Sequence, residues 1–195
     1  MRLLLLAPPG AGKGTQGDRL ARHLGVEHVA AGDVLRAAAR AGTPAGREIA
    51  AYQQRGDLVP DAIVFDVLTP LVVAAVAHGG YVLDGFPRTL PQADAAAALG
   101  TRLGLTLQAV VYLYAPEAVL VQRLLGRAGQ EGRSDDTSAV IRHRLEVFTT
   151  TTSPLIDYYR DRGILLAVDA DRPPEAVTSE ILARLSDRSP IQEGA

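Results

Sequence analysis

A glycine-rich segment near the amino terminus contains the residue types that bind phosphate. It reads Pro9-Gly10-Ala11-Gly12-Lys13-Gly14-Thr15-Gln16 and follows the apolar run Leu3-Leu4-Leu5-Leu6-Ala7. Glycines allow successive backbone N–H groups to curve around an anion, and the start of a helix adds its dipole. An ammonium group is a compact charge that reaches phosphate oxygens through a tight loop. The segment therefore predicts a phosphate site between a strand and a helix.

Lys13 is the only lysine in the chain, whereas arginine is used at every other strongly basic position. The segment matches the nucleoside-triphosphate loop pattern G-x-x-x-x-G-K-S/T with two departures. Ala7 occupies the first glycine position, where its methyl group is expected to loosen or reshape the loop. Gly14 separates Lys13 from Thr15. A glycine-rich turn without a ligand is the alternative, which the unique lysine disfavours.

The composition is that of an ordinary globular protein of single-domain size. The 195 residues are 47% hydrophobic and 22% charged, with a formal net charge of -2. This charge argues against nucleic acid or an anionic membrane as a partner. The sequence contains no cysteine, which excludes disulfides and cysteine-based zinc sites. We expect a cytoplasmic protein without zinc, whose histidines are surface or packing residues.

Short apolar segments alternate with longer amphipathic segments along the chain. The predicted strands are Leu3 to Ala7, Tyr81 to Leu83, Ala109 to Tyr114 and Ile164 to Val168. This alternation is typical of an α/β fold in which helices flank a parallel β-sheet. Ligands of such sheets bind beyond the carboxyl ends of the strands, where Lys13 and Asp84 should both lie.

The segment from Ala30 to Pro60 departs from this alternation. It contains no convincing strand, and its helical stretches are broken by Ala41-Gly42-Thr43-Pro44 and by Gly56. We interpret it as a small helical insertion, in which Asp33 caps a helix and Arg36 lies one turn later. Taken alone, Arg36 is equally well explained as a solvated helix residue.

A second polar segment directly follows the predicted strand that ends at Leu83. It reads Asp84-Gly85-Phe86-Pro87-Arg88-Thr89-Leu90-Pro91-Gln92. A carboxylate at the end of this strand, facing the phosphate loop, is well placed to hold Mg²⁺ directly or through water. Arg88, four residues later, adds a planar guanidinium group. A turn with an unrelated arginine is the alternative, and the nearby phosphate loop disfavours it.

Arginines surround a short glycine-bounded segment in the second half of the chain. They are Arg123, Arg127, Arg133 and Arg144. Asp135 and Asp136 offset only part of this positive charge. Surface ion pairs are one explanation, but we favour a flap that closes over phosphates.

In combination, these motifs resemble the adenylate kinase family of nucleoside monophosphate kinases, in the form with a short lid. The resemblance covers nearly the full chain. Its motifs are Gly10 to Gln16, Gly32-Asp33 with Arg36, Asp84 to Arg88 with Gln92, Arg127, Arg133 with Asp135-Asp136, and Arg144. It implies a P-loop NTPase-type parallel β-sheet flanked by helices, with core segments 1–29, 60–126 and 135–185. It also implies a helical NMP-binding insertion at about 30–59 and a short lid at about 127–134.

The resemblance further implies reversible transfer of the γ-phosphoryl group of Mg-ATP to AMP, which gives two ADP. ATP and AMP would be the small-molecule partners of a monomeric enzyme. The implied donor-binding residues are Gly10, Ala11, Gly12, Lys13, Gly14, Thr15, Arg123 and Arg127. The implied acceptor-binding residues are Ala31, Arg36, Val59, Gly85, Arg88, Gln92, Arg133 and Arg144. Lys13, Arg88, Arg127, Arg133 and Arg144 would be catalytic, and Asp33 and Asp84 would hold Mg²⁺ through water.

The departures from the family pattern concern the acceptor. Ala31 stands where adenylate kinases usually carry Thr, and the Ala form occurs in the related UMP/CMP kinases, which the segment Arg133 to Asp136 also resembles. Thr89 and Gln92 resemble adenylate kinases instead. Because the lost hydroxyl removes at most one hydrogen bond, worth about 1 kcal/mol, we expect AMP as acceptor and keep a UMP/CMP kinase as the alternative.

Two further alternatives belong to other classes. A nucleotide-binding protein that no longer catalyses transfer would not need Lys13 together with a full arginine set. A kinase for a small metabolite such as shikimate or gluconate is disfavoured by the segment Asp84 to Arg88 and by Gln92. Elsewhere, the run Thr149 to Thr152 is a poor helix sequence that predicts a kink, and we expect residues 186–195 to be a disordered tail.

Overall fold

A five-stranded parallel β-sheet flanked by helices forms the centre of the computed structural model, which describes residues 1–131 and 138–188, with the backbone only for 127–131. The strands are β1 (Arg2–Leu6), β2 (Glu27–Ala30), β3 (Tyr81–Asp84), β4 (Ala109–Tyr114) and β5 (Leu165–Asp169). They lie in the order β2-β3-β1-β4-β5, and each neighbouring pair is parallel. The predicted fold class is therefore confirmed.

Helices cover both faces of this sheet. They are α1 (Lys13–Leu24), α2 (Ala31–Arg40), α3 (Pro44–Arg55), α4 (Asp61–Ala77), α5 (Leu90–Leu103), α6 (Glu117–Glu131), α7 (Ser138–Val147), α8 (Pro154–Asp161) and α9 (Pro174–Ser186). Among the described residues, none of these helices combines the length and the apolar character that crossing a bilayer requires.

Strand β1 is buried on both faces, which explains its continuous run of leucines. Leu3 and Leu5 belong to an apolar cluster that includes Leu20 of α1 and Ile181 of α9. Leu4 belongs to the cluster on the other face, which is built largely from residues of α2 to α5 and α8. Because β1 is fixed from both sides, the loop that follows it starts from a rigid position.

Strand β2 was absent from the sequence-based prediction, which placed the other four strands to within one residue at each end. Its sequence, Glu27-His28-Val29-Ala30, contains one β-branched residue, and Val29 is its only fully buried side chain. An edge strand with so little apolar character gives no periodic signal. Its pairing matters for function because Ala30 lies opposite Asp84, the last residue of β3.

The region after β2 contains α2 and α3, with interruptions where the sequence predicted them. The Thr43 hydroxyl accepts a hydrogen bond from the N–H of Gly46 at the start of α3, and Gly56 ends this helix at a φ of 80°. The predicted role of Asp33 as a helix cap is wrong. Helix α2 begins at Ala31 and has no side-chain cap, so Asp33 lies inside its first turn, where its charge complements the helix dipole.

The chain between α7 and α8 forms a π-helical turn at Phe148–Thr152. The N–H of Ser153 donates to the carbonyl of Phe148, 2.8 Å away, which is the five-residue spacing of a π-helix. The hydroxyls of Thr149 and Thr150 donate to carbonyls four residues earlier. The departure from regular helix that the sequence predicted here is therefore a widened turn.

The predicted disorder of the tail is wrong for its first residues. Helix α9 extends to Ser186, and the guanidinium of Arg188 donates to the carbonyl of Leu165 at 2.9 Å. The rest of the tail, 189–195, lies outside the described residues. So do Arg133 of the predicted lid and Asp135 and Asp136, which directly follow the lid.

Candidate active site

A cleft of about 640 Å³ opens at the carboxyl ends of β1 and β3. The chain leaves β1 toward β2 at one edge of the sheet and leaves β3 toward β4 in the other direction. Open α/β sheets bind ligands where neighbouring strands connect in opposite directions in this way. The predicted site residues that line it are Gly10, Gly12, Lys13, Gly14, Thr15, Asp33, Arg36, Val59, Asp84, Gly85, Arg88, Gln92, Arg123 and Arg144. The fold thus brings the separate sequence motifs to one place.

The other predicted site residues do not line the cleft or are not described. Ala11 and Ala31 are 2% and 1% exposed and lie behind the surface of the cleft. A Cβ placed on Gly85 would lie 3.5 Å from the Cβ of Ala31, so Ala31 packs directly behind a residue of the cleft wall. The side chains of Arg127 and Arg133 lie outside the described part of the chain.

The phosphate loop forms one end of the cleft, which we call the loop end (residues 10, 12 to 15). Gly10 and Gly12 have φ angles of 86° and 89°, a left-handed backbone that favours glycine. A Cβ on Gly10 would lie 2.6 Å from the carbonyl oxygen of Leu120, so the loop also needs glycine there for close packing against α6. The sequence signal of this loop therefore has a direct steric basis.

The ammonium of Lys13 lies over the loop that follows β1. Its Nζ donates to the carbonyl of Ala7 at 2.7 Å and to the carbonyl of Pro8 at 3.2 Å. Ala7 itself is buried in the cluster that contains Leu20, so its methyl group packs inside the protein. Its carbonyl helps to place the charge of Lys13.

Three guanidinium groups that line the cleft lie close enough to repel one another, and we call this group the arginine end (Arg36, Arg88 and Arg144). Removal of Arg88 from water lowers its pKa, and the positive charges of Arg144 and Arg36 act in the same direction, against the attraction of Asp84. The Nε of Arg88 donates to the carbonyl of Gly85 at 2.8 Å, which fixes its fork. Mutually repelling cations at a partly desolvated site are suited to bind an anion such as phosphate.

Arg36 and Arg123 are held by partners at the rim of the cleft. Arg36 forms an ion pair with Asp33, one turn earlier in α2. Arg123 on α6 donates to the carbonyl of Ala170 at 2.9 Å and lies 3.6 Å from the carboxylate of Asp171. Arg123 is thereby fixed against the loop that follows β5, on the side of the cleft next to the phosphate loop.

His28 links two carboxylates at the base of the cleft, a contact that the sequence did not reveal. Its Nε2 lies 2.8 Å from Oδ2 of Asp84, and its Nδ1 lies 2.7 Å from Oδ1 of Asp18. Burial lowers the pKa of His28, but its hydrogen bonds to Asp84 and Asp18 outweigh this effect, and the pKa is raised. Gly17 makes room for the ring, because a Cβ there would lie 2.2 Å from Nε2 of His28. We interpret His28 as a positioning residue for Asp84.

We expect His28→Ala to lower the free energy of unfolding by about 1–3 kcal/mol, because it leaves the buried Asp84 without its donor. It should also raise the Mg²⁺ concentration needed for half-maximal activity. In the unmodified chain, the stabilisation that protonated His28 contributes is complete below the ordinary histidine pKa of 6.5. It is lost as pH rises through the raised pKa of His28 in the folded state. Urea unfolding from pH 5 to 9 measures the change in the free energy of unfolding. Titration of the enzymatic rate with Mg²⁺ measures the change in the Mg²⁺ requirement.

The control for this substitution is His78→Ala, which removes an exposed histidine paired with Glu27. His28→Gln should restore part of the loss, since an amide can still donate to Asp84. Equal effects of His28→Ala and His78→Ala on the Mg²⁺ requirement would contradict the positioning role.

The carboxylates of the cleft fit Mg²⁺ bound mainly by water and phosphate oxygens. Asp33 and Asp84 line the cleft together with the hydroxyl-bearing Thr15. Within the described residues, no cluster of three or more His, Asp or Glu side chains could form a protein metal cage. Mg²⁺ keeps several waters and takes one or two carboxylates plus substrate phosphates, and this donor set meets that need.

A parallel sheet whose first strand leads into a phosphate-binding loop is the architecture of P-loop nucleotide-binding proteins, and a second cationic end in the same cleft suits a kinase with two phosphorylated substrates. The family model for adenylate kinase matches residues 5–164. The chain belongs to the adenylate kinase family.

Individual relatives are similar over almost their whole length. "Adenylate kinase" of Parasynechococcus marenigrum is 49% identical over 185 residues, 95% of this chain and 98% of that protein. "Adenylate kinase 1" of Nostoc sp. is 46% identical over 184 residues, 94% of this chain and 98% of that protein. "Adenylate kinase" of Leptospira biflexa is 45% identical over 181 residues, 93% of this chain and 97% of that protein.

Proposed function

We propose that this chain catalyses the reversible transfer of the γ-phosphoryl group of Mg-ATP to AMP, with two ADP as products. The observation that carries this proposal is the single cleft with two cationic ends. Lys13 and the loop amides suit the phosphates of a donor, and Arg36 and Arg88 suit the phosphate of an acceptor. The names of the three similar proteins described above, each an adenylate kinase, favour AMP as the acceptor.

The residues of the cleft account for the needs of phosphoryl transfer. The reaction requires two nucleotides in line and neutralisation of charge on the transferred group, with little covalent work by the protein. Lys13 would bind the donor phosphates, Arg88 would orient the acceptor phosphate, and Arg144 would stabilise the transferring group. No general base is needed, because the acceptor phosphate is already a nucleophile. Mg²⁺, held through water by Asp33 and Asp84, would neutralise phosphate charge.

The remaining assignments extend this proposal. Arg123 would contact the donor adenine, and Val59, Gly85 and Gln92 would surround the acceptor base. Arg127 and Arg133 would close over the transferring group as part of a lid at about 127–134, while the insertion at about 30–59 closes over AMP. Closure would exclude water, which otherwise competes for the phosphoryl group. We further propose a cytoplasmic monomer that binds neither nucleic acid nor membrane, in keeping with its net charge of -2.

The test is phosphorus NMR of mixtures of Mg-ATP with AMP, CMP, UMP or GMP, each supplied separately. We expect rapid formation of ADP with AMP and only slow turnover with the other acceptors. A mixture without acceptor controls for ATP hydrolysis. Faster transfer to CMP or UMP, or binding of ATP without transfer to any acceptor, would overturn the proposal.

We expect Ala31→Thr to raise kcat/KM for AMP relative to CMP by about fivefold, which corresponds to one added hydrogen bond to the base. Because Ala31 is buried behind Gly85, the smaller Ala31→Ser variant serves as a second form with less added volume. Steady-state kinetics with both acceptors measure the ratio, and thermal unfolding checks the packing. An unchanged ratio in both variants would remove residue 31 from acceptor selection.

A further inference from the structure

The side-chain amide of Gln92 is held at both ends. Its Oε1 accepts a hydrogen bond from the backbone N–H of Arg88 at 2.7 Å, and its Nε2 donates to Oδ1 of Asp61 at 2.6 Å. The backbone N–H of Gln92 donates to the hydroxyl of Thr89 at 3.2 Å. Gln92 is 3% exposed and lines the cleft, so a nearly buried amide with a fixed backbone reaches the binding surface.

These two contacts determine which end of the amide is nitrogen and which is oxygen. A backbone N–H can only donate, and an ionised carboxylate can only accept. An amide turned by 180° would place two donors face to face at Arg88 and two acceptors face to face at Asp61. Each mismatch would leave an atom of the buried Gln92 amide without its hydrogen bond, which is costly, although the exposed carboxylate of Asp61 could still be hydrated. The orientation of Gln92 is therefore set by the protein before any ligand binds.

Among the described residues, the hydrogen bond of Asp61 to Gln92 connects it to the cleft. It is the first residue of α4, 31 positions away from Gln92 in the sequence, and it does not line the cleft. Of the two hydrogen bonds that hold the Gln92 amide, one is to the side-chain carboxylate of Asp61 and the other is from the backbone N–H of Arg88. Asp61 is thus the part of this arrangement that substitution can change without altering the cleft wall.

The bound amide still has one N–H and one oxygen lone pair to offer. The Watson–Crick edge of adenine carries an amino donor beside a ring acceptor, whereas that of guanine carries a carbonyl acceptor beside a ring N–H donor. In a pose fixed by the ribose phosphate, an amide of one orientation pairs with one of these edges and opposes the other. A site built to hydrogen-bond one edge discriminates strongly against its reverse.

We propose that Asp61 is a specificity-determining positioning residue, which locks the amide of Gln92 in the orientation that pairs with adenine and opposes guanine. This inference rests on the proposed function, which makes AMP the acceptor and places its base at Gln92. The ligand class is a 6-aminopurine nucleoside monophosphate. Discrimination against a 6-oxopurine then comes from a carboxylate that does not itself touch the base.

The test compares Asp61→Asn with the unmodified chain in steady-state transfer to AMP and to GMP. An asparagine at this position can either accept or donate, so position 61 no longer opposes the reversed amide. The N–H of Arg88 is then the remaining contact that opposes it. We expect the ratio of kcat/KM for AMP over GMP to fall about tenfold, mainly through the KM values. Asp66→Asn on the same helix is the matched control and should leave the ratio unchanged. Asp61→Ala is the second variant, and thermal unfolding verifies that each variant is folded.

A double substitution separates a positioning role from a general structural one. In a Gln92→Ala background, Asp61→Asn should have no further effect on the AMP to GMP ratio. An unchanged ratio in Asp61→Asn and Asp61→Ala, or the same fall with and without Gln92, would overturn the inference while AMP turnover still supports the proposed function. An unmodified chain that does not use AMP would overturn both.

Discussion

Lys13→Ala is expected to lower the rate of phosphoryl transfer by about a thousandfold, the size of effect measured for other preorganised groups that stabilise developing charge. Lys13 supplies the charge of the loop end, and no other lysine exists in the chain to replace it. The fold should remain intact, because the hydrogen bonds of Nζ to the carbonyls of Ala7 and Pro8 lie in the loop and not in the sheet. Initial rates of ADP formation, together with circular dichroism and thermal unfolding, measure the two effects.

Two matched variants show whether the loss of activity in Lys13→Ala is specific to the ammonium group at this position. Lys13→Arg keeps the charge but replaces a compact ammonium with a planar fork, and we expect it to remain severely impaired. Arg19→Ala removes a charge from the same helix, where Arg19 pairs with Glu175 outside the cleft, and it should retain full activity. Substantial turnover by Lys13→Ala would show that the phosphate loop is not the centre of the active site.

Arg88→Ala is expected to lower kcat/KM for AMP by about a thousandfold, which is at the lower end of the range for arginines that stabilise a transferring phosphoryl group. The fork of Arg88 is preorganised by the carbonyl of Gly85, and its charge is partly removed from water beside Arg36 and Arg144. The KM for ATP should change little, because the loop end is unaltered. Steady-state kinetics with each substrate varied in turn separate these parameters.

Arg88→Lys tests whether charge alone is enough. An ammonium cannot bind phosphate with two parallel hydrogen bonds, so we expect recovery of only a small part of the activity. Arg102→Ala, on the exposed end of α5, is the control for loss of one positive charge. If the KM for ATP rose as much as the KM for AMP, the assignment of Arg88 to the acceptor would be incorrect.

The parts of the site that the sequence predicted are those whose function requires particular residue types at short spacing. The phosphate loop needs glycine at positions 10 and 12, where the backbone is left-handed, and this requirement is visible as a local pattern. Asp84 ends a strongly apolar strand and Arg88 lies four residues later, so their position at the carboxyl edge of the sheet was predictable. Periodicity and loop composition carry this kind of information.

The parts that the sequence did not predict depend on contacts between distant segments. His28 is one of two polar residues in a weak edge strand, and it reaches Asp84 because β2 pairs with β3. Asp61 of α4 contacts Gln92 of α5, and neither residue type indicates in the sequence that the two side chains are in contact. The error at Asp33 had a different cause, since helix boundaries are uncertain by a few residues in sequence-based assignment. The burial of Ala31 likewise depends on packing against Gly85.

The π-helical turn at Phe148–Thr152 changes the angular phase between the helix before it and the helix after it. In a regular α-helix, eleven residues bring two side chains to within about 20° of each other around the axis. Arg144 and Leu155 have this separation, yet Arg144 lines the cleft while Leu155 is completely buried in the apolar core. The extra residue in the widened turn rotates one half by about 100° relative to the other. A single chain segment can thus present a cation to phosphate with one half and anchor itself in the core with the other.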